Sequence, residues 1–128
     1  MIVVQCHGCF DVLHYGHLVH LRAARALGDK LVVTITADEY IHKGDGRPVF
    51  TAQKRKAMLE ELRCVDEVHI IHAPDAESAI IAVQPNIYCK GSEYRAHLPE
   101  RRLVESLGGR VVFTTGETHS STALVPLL

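Results

Sequence analysis

Apolar runs and helical patterns alternate along the chain. Short runs rich in β-branched residues predict five strands, at residues 2–6, 30–37, 67–71, 87–89 and 110–114. Apolar positions at helical spacing predict intervening helices at residues 15–27, 52–63, 75–83 and 98–107, and a last short helix at 120–125. Such alternation predicts an α/β fold: a single Rossmann-like domain over residues 1–128, with a five-stranded parallel sheet and helices on both faces.

Composition narrows the class of protein. The chain has 128 residues, 47% apolar and 23% charged, with a formal net charge of -1. This balance does not predict a nucleic-acid or membrane surface, and no apolar run is long enough to cross a bilayer. The N-terminus lacks the basic start of a signal peptide, so we expect a cytoplasmic protein. A disulfide framework among the four cysteines is not expected there.

Chemically distinctive segments follow the predicted strands. They are residues 8–17, a glycine-broken loop at 40–50, Lys90-Gly91, and the hydroxyl-rich run Ser120-Ser121-Thr122. Because ligands in parallel sheets bind at the carboxyl ends of strands, we expect these segments to meet in one cleft.

Two histidines stand where the first strand leads into the first helix. His14 and His17 are separated by Gly16, and Gly8 precedes them where the backbone must turn and approach a ligand. The amides and dipole of a helix start favour phosphate, and imidazoles there can donate hydrogen bonds as charge develops. We therefore predict phosphate chemistry; the alternative is a helix start with incidental histidines.

A metal or redox centre is a competing interpretation. Cys6-x-x-Cys9 with His7 has ligand types that suit zinc. No second C-x-x-C accompanies it, so we predict no metal ligands among the site residues. Elemental analysis would test this alternative.

The same segment resembles a family signature. Gly8, Phe10, Asp11, His14, Gly16 and His17 match the G-x-F-D-x-x-H-x-G-H pattern of the cytidylyltransferase-like nucleotidyltransferases. Later blocks also look like this family: residues 21–29, Arg47-Pro48-Val49, Arg55, residues 65–68 and the Ser120 to Thr122 run, which is similar to its S-T-S or S-T-T block. The resemblance covers nearly the whole chain.

The resemblance implies an enzyme that releases pyrophosphate. The phosphate of a small-molecule acceptor would attack the α-phosphate of a nucleoside triphosphate, with Mg²⁺ on the triphosphate and no covalent intermediate. It implies catalytic roles for His14, His17 and Lys43. It implies nucleotide binding by Gly8, Cys9, Phe10, Gly16, Lys90, Gly91, Glu93, Ser120, Ser121 and Thr122. It implies substrate binding by Asp11, Arg47 and Arg55, and a homodimer.

Structural roles remain open for several of these residues. Phe10 can pack inward, and Asp11 can cap its turn instead of orienting a substrate. Lys43 can be a solvated loop lysine, Arg55 a surface helix arginine, and the Ser120 to Thr122 run a plain N-cap.

The sequence resembles more than one subfamily in the segments that select the nucleotide and the phosphate acceptor. Lys90-Gly91-Ser92-Glu93-Tyr94 looks like the K-G-x-D-Y block of heptose-1-phosphate adenylyltransferases, with Glu93 in place of Asp. The arginine of the R-T-E-G-I-S-T block of glycerol-3-phosphate cytidylyltransferases is absent, while residues 14–17, 24–29 and 48–51 look like phosphoethanolamine cytidylyltransferases. We expect ATP over CTP and a sugar phosphate as acceptor. Cytidylyl transfer, FMN adenylyl transfer and a non-catalytic nucleotide-binding module are the alternatives.

Overall fold

Five parallel strands form the centre of the molecule. The computed structural model describes residues 1–115. Its strands are β1 (Val3–Gly8), β2 (Lys30–Thr36), β3 (Glu67–Ile71), β4 (Ile87–Gly91) and β5 (Arg110–Thr114). They lie in the order β3-β2-β1-β4-β5, and every neighbouring pair is parallel. The predicted fold class is confirmed.

Four α-helices of the described part of the chain cover the two faces of this sheet. They are α1 (Tyr15–Arg25), α2 (Ala52–Glu60), α3 (Glu77–Val83) and α4 (Arg101–Ser106). Leu21 of α1 and Leu59 of α2 join one apolar cluster, whereas Ile80 of α3 and Val104 of α4 join a second cluster around Tyr88. Burial of these faces holds the layers together. None of the helices within residues 1–115 is long and apolar enough to cross a membrane.

The strand order places a crevice beside β1. The chain builds outward from β1 through β2 to β3, then returns to β4 on the other side of β1. Such a reversal separates the loops after the two central strands and leaves a crevice at their carboxyl ends. The segment after β1 and the segment after β4 therefore face each other.

Several element boundaries differ from the sequence predictions. β1 extends to Gly8, where it pairs with Ile35, and β4 extends to Gly91, where it pairs with Thr114. Parallel pairing thus carries both strands two residues further than their apolar runs indicate. The helices are shorter than predicted at one or both ends, and 3-10 turns occupy Asp38–Tyr40 and Ser92–Tyr94. The predicted helix at 120–125, with Ser120, Ser121 and Thr122, lies outside the described residues.

Candidate functional site

A cavity of about 450 Å³ opens at the carboxyl ends of β1 and β4. Within residues 1–115, every predicted catalytic and nucleotide-binding residue lines it: Gly8, Cys9, Phe10, His14, Gly16, His17, Lys43, Lys90, Gly91 and Glu93. These residues come from three chain segments, so the fold brings them together as the strand order predicts. The volume falls within the range of small-molecule sites.

His14 and His17 form a stacked pair at the start of α1. Their ring centroids lie 3.7 Å apart with an interplanar angle of 18°. The backbone N–H of His17 donates to His14 Nδ1 at 3.3 Å, and the backbone N–H of His14 donates to His17 Nδ1 at 3.2 Å. This reciprocal capping box satisfies two amides at the helix start and fixes both rings.

The same hydrogen bonds determine where the rings can donate. Because each Nδ1 accepts an N–H, a neutral ring in this pair carries its proton on Nε2. Burial, followed by repulsion from His14, lowers the pKa of His17 to about 3. His17 is therefore neutral at physiological pH. His17 can therefore present an Nε2–H donor to an anion without an unfavourable buried charge.

Two lysines reach the cavity from opposite sides. Lys43 is exposed on the loop before α2. Lys90, at the end of β4, donates from Nζ to the His7 carbonyl oxygen at 3.2 Å and lies 4.3 Å from the centre of the Tyr94 ring. Burial lowers the pKa of Lys90. Two lysine amines thus line the same cavity as the histidine pair, and such donors suit phosphate oxygens.

Phe10 supports His17 from a strained backbone position. Its φ of 54° lies in the left-handed region, its side chain is buried, and its ring centroid is 5.0 Å from that of His17. A Cβ at Gly8 would approach the Phe10 ring at 3.2 Å, so glycine lets the aromatic ring fold back over β1. Phe10 both packs inward and lines the cavity.

Asp11 and Arg47 lie beneath the cavity and do not line it. Asp11 is fully buried, and its carboxylate accepts the backbone N–H groups of Val49 at 2.7 Å and Phe50 at 2.9 Å. Arg47 Nε donates to the same carboxylate at 3.1 Å, and Arg47 also donates to the Asp11 carbonyl oxygen. Burial alone would raise the pKa of Asp11, but these amides and the guanidinium lower it. Asp11 and Arg47 thus form a buried ion pair that ties the loop before α2 to the segment after β1, while their substrate binding stays a prediction.

Arg55 is a second buried residue where a substrate ligand was expected. Its side chain is 1% exposed, and all three guanidinium nitrogens donate to protein atoms. The acceptors are the carbonyl oxygens of Cys9, Thr36 and Phe50 and the carboxylate of Asp38, at 2.7–3.0 Å. Arg55 therefore joins the ends of β1 and β2 to α2 and presents no group to the cavity.

Other cavity residues were missed by sequence reasoning. His7, His20, Tyr94 and Thr114 line the cavity. The i, i+3 spacing of His17 and His20 on one helix was a signal that His20 shares the cavity face. His7 was missed because the predicted first strand stopped at residue 6.

Comparison with known proteins shows a family match and similar relatives. The profile of the family described as Cytidylyltransferase-like matches residues 5–121. The chain is 39% identical over 124 residues to a D-beta-D-heptose 1-phosphate adenylyltransferase of Bordetella bronchiseptica, covering 94% of this chain and 76% of that protein.

Longer proteins and a solved structure are also similar. The chain is 41% identical over 127 residues to a bifunctional protein HldE of Streptomyces coelicolor, which covers 96% of this chain and 27% of that protein. It spans about a quarter of the length of such relatives. A lipopolysaccharide core biosynthesis protein from Thermoplasma volcanium, known as a crystal structure, has a TM-score of 0.73 and 31% identity, covering 94% of this chain and 99% of that one.

Proposed function

Because this chain belongs to the cytidylyltransferase-like family, we propose that it transfers the adenylyl group of ATP to a sugar phosphate. The match of the family profile to residues 5–121 confirms the family that the signature at residues 8–17 predicted. One observation carries the proposal for this chain. The stacked His14–His17 pair sits at a helix start inside a cavity that two lysines flank.

The triphosphate would lie across the start of α1. A phosphate there gains from the helix dipole and from uncapped amides of the first turn. The Nε2–H groups of His14 and His17 would donate to phosphate oxygens, while Lys43 and Lys90 balance the charge. Ser120, Ser121 and Thr122 are proposed to bind the β- and γ-phosphates, as the family resemblance implies.

The reaction would be a single displacement. An oxygen of the acceptor phosphate forms a bond to the α-phosphorus as the bond to pyrophosphate breaks. Negative charge grows on the oxygens around the α-phosphorus and on the leaving pyrophosphate. Donors already fixed by a reciprocal capping box stabilise that charge without reorganising.

Magnesium is proposed as part of the nucleotide substrate. Mg²⁺ prefers oxygen ligands, and in nucleotide sites it is held largely by phosphates and water. Asp75 and Glu93 are the acidic residues among the described cavity residues, and both are exposed. This donor set fits an ion that arrives with ATP, and neutralising the triphosphate charge is the chemistry that it supplies.

The proposal of a sugar phosphate as the acceptor rests on the segment after β4. Gly91 is close enough to Glu93 that a Cβ would clash with its carboxylate, so glycine lets Glu93 fold towards the strand end. Glu93 and Tyr94 both line the cavity. A carboxylate beside an aromatic ring suits hydroxyl groups of a sugar. The Bordetella bronchiseptica relative, a heptose 1-phosphate enzyme by name, supports the same choice.

A matrix of substrates tests the proposal. Pyrophosphate release is measured with ATP and CTP, each against heptose 1-phosphate, glycerol 3-phosphate, phosphoethanolamine and FMN. We expect the highest kcat/KM with ATP and heptose 1-phosphate. A preference for CTP would overturn adenylyl transfer. Nucleotide binding without turnover of any acceptor would favour a non-catalytic module.

We further propose that the protein acts as a homodimer in the cytoplasm and binds neither nucleic acid nor membrane. The proposal of a dimer rests on the resemblance to small members of the family. Light scattering on the purified protein tests it: a mass twice that of the 14.2 kDa chain is expected, and a monomeric mass would contradict it.

A further inference from the structure

Three metal-ligating side chains converge under the floor of the cavity. Cys6 of β1, Cys89 of β4 and His20 of α1 each place one possible ligand atom within 4.8 Å of the others. The strand register explains the cysteine pair, since Val4 pairs with Ile87 and the two strands then run in step towards Cys6 and Cys89. Helix α1 crosses this face of the sheet and adds the imidazole.

The chemistry of this cluster is selective. Thiols and imidazole suit zinc, whereas magnesium and calcium require oxygen ligands. Within residues 1–115, no other group of three or more His, Cys, Asp or Glu side chains lies close enough to share an ion. Both thiols are buried and form no disulfide.

His20 is already oriented for such a role. Its Nδ1 lies 2.6 Å from Thr114 Oγ1, which leaves Nε2 as the nitrogen that a metal would take. A hydrogen bond on the distal ring nitrogen is the usual means of fixing a metal-binding histidine.

We propose that Cys6, Cys89 and His20 form a zinc-binding site that joins β1, β4 and α1 beneath the nucleotide cavity. Binding releases the thiol protons, leaving two thiolates and one neutral imidazole around the ion. A fourth ligand, water, would come from the cavity side, because His20 lines the cavity. The site is independent of the proposed adenylyl transfer and would stand if that activity failed.

Metal titration of the full chain tests the site. Chelator-treated protein is titrated with Zn²⁺ and, as a spectroscopic probe, with Co²⁺. We expect about one ion per chain, with the thiolate-to-cobalt absorption typical of cysteine ligation. Zn²⁺ should also raise the Tm. C6S and C89S should each abolish the thiolate band or reduce it sharply, and H20Q should weaken zinc affinity at least about tenfold.

A serine substitution of a cysteine outside the cluster is the control for the loss of a thiol. Cys64 is a half-buried free cysteine outside the cluster, so C64S should keep the stoichiometry and the cobalt spectrum of the parent chain. Absence of a thiolate–cobalt band in the unmutated protein would overturn the proposal, whether or not the serine variants fold. Stoichiometric binding that survives in both C6S and C89S would overturn it equally.

Discussion

The imidazoles of His14 and His17 lie stacked at 3.7 Å, and each Nδ1 accepts the backbone N–H of the other residue. One pair of side chains therefore begins helix α1 through its reciprocal capping box. The proposed phosphate chemistry would depend on the same hydrogen bonds that start the helix. Removing a ring consequently perturbs both, unless the replacement keeps the cap.

Asparagine separates the two effects at positions 14 and 17. Its side-chain oxygen is a good N-cap acceptor, so H14N keeps the helix start. It lacks an Nε2–H at the imidazole position. We expect kcat for pyrophosphate release to fall by about 10²–10³ in H14N and H17N, the usual loss for a fixed transition-state donor. The free energy of unfolding in urea should change by only about 1 kcal/mol in H14N.

His97 provides the control for this pair. It is exposed and does not line the cavity. H97N should keep the kcat of the parent protein. Full activity in both H14N and H17N would contradict the proposed role of the histidine pair.

Lys43 is predicted to act on the transition state from an exposed loop. K43A should lower kcat by about 10²-fold, because a cation over the developing charge is lost. Its unfolding midpoint in urea should stay unchanged, since exposed substitutions usually have small effects. Lys54, an exposed lysine on α2, is the matched control, and K54A should leave both quantities unchanged. Equal losses in the two variants would indicate a general charge effect.

Sequence patterns predicted the sheet and the cavity segments but not which charged residues are buried. Strand alternation and the chain order place Gly8, His17 and Lys90 at one sheet edge, because carboxyl ends of parallel strands meet there. The burial of Arg55 depends on carbonyl groups of Cys9, just after β1, and Thr36, at the end of β2; both are far from Arg55 in the sequence, so no local pattern encodes the contacts. A signature residue can bind substrate or hold the site together, and the contacts of the buried Asp11 carboxylate in this structure are with the loop before α2.

Arg55 should therefore affect stability. R55K cannot reproduce donors that reach three carbonyl oxygens and Asp38 at once, so buried acceptors lose their partners. We expect a loss of about 3–5 kcal/mol in the free energy of unfolding. Urea unfolding followed by circular dichroism measures it. The nearby exposed Lys54 changed to Arg should have little effect, and a stable R55K with a raised KM for the acceptor would instead favour substrate binding.

Stability should fall on mild acidification because buried histidines resist protonation. Burial lowers the pKa values of His7 and His20 to about 4 and that of His17 to about 3, against about 6.5 in the unfolded chain. Below about pH 6.5 the unfolded state therefore binds more protons than the folded state, so the stabilisation present at neutral pH is lost as pH falls towards 4.

Each such histidine contributes a slope of up to about 1.4 kcal/mol per pH unit in that window. Asp11, whose pKa is lowered, loses its contribution only below its unfolded value of about 3.9, outside the range of pH 5–6.5 in which the histidines act. Urea unfolding at about pH 7.5, 6 and 5 should show this decline, H20Q should flatten it, and H97Q should not. A free energy of unfolding that stays constant from about pH 7.5 to 5 would show that these rings are accessible to protons in the folded protein.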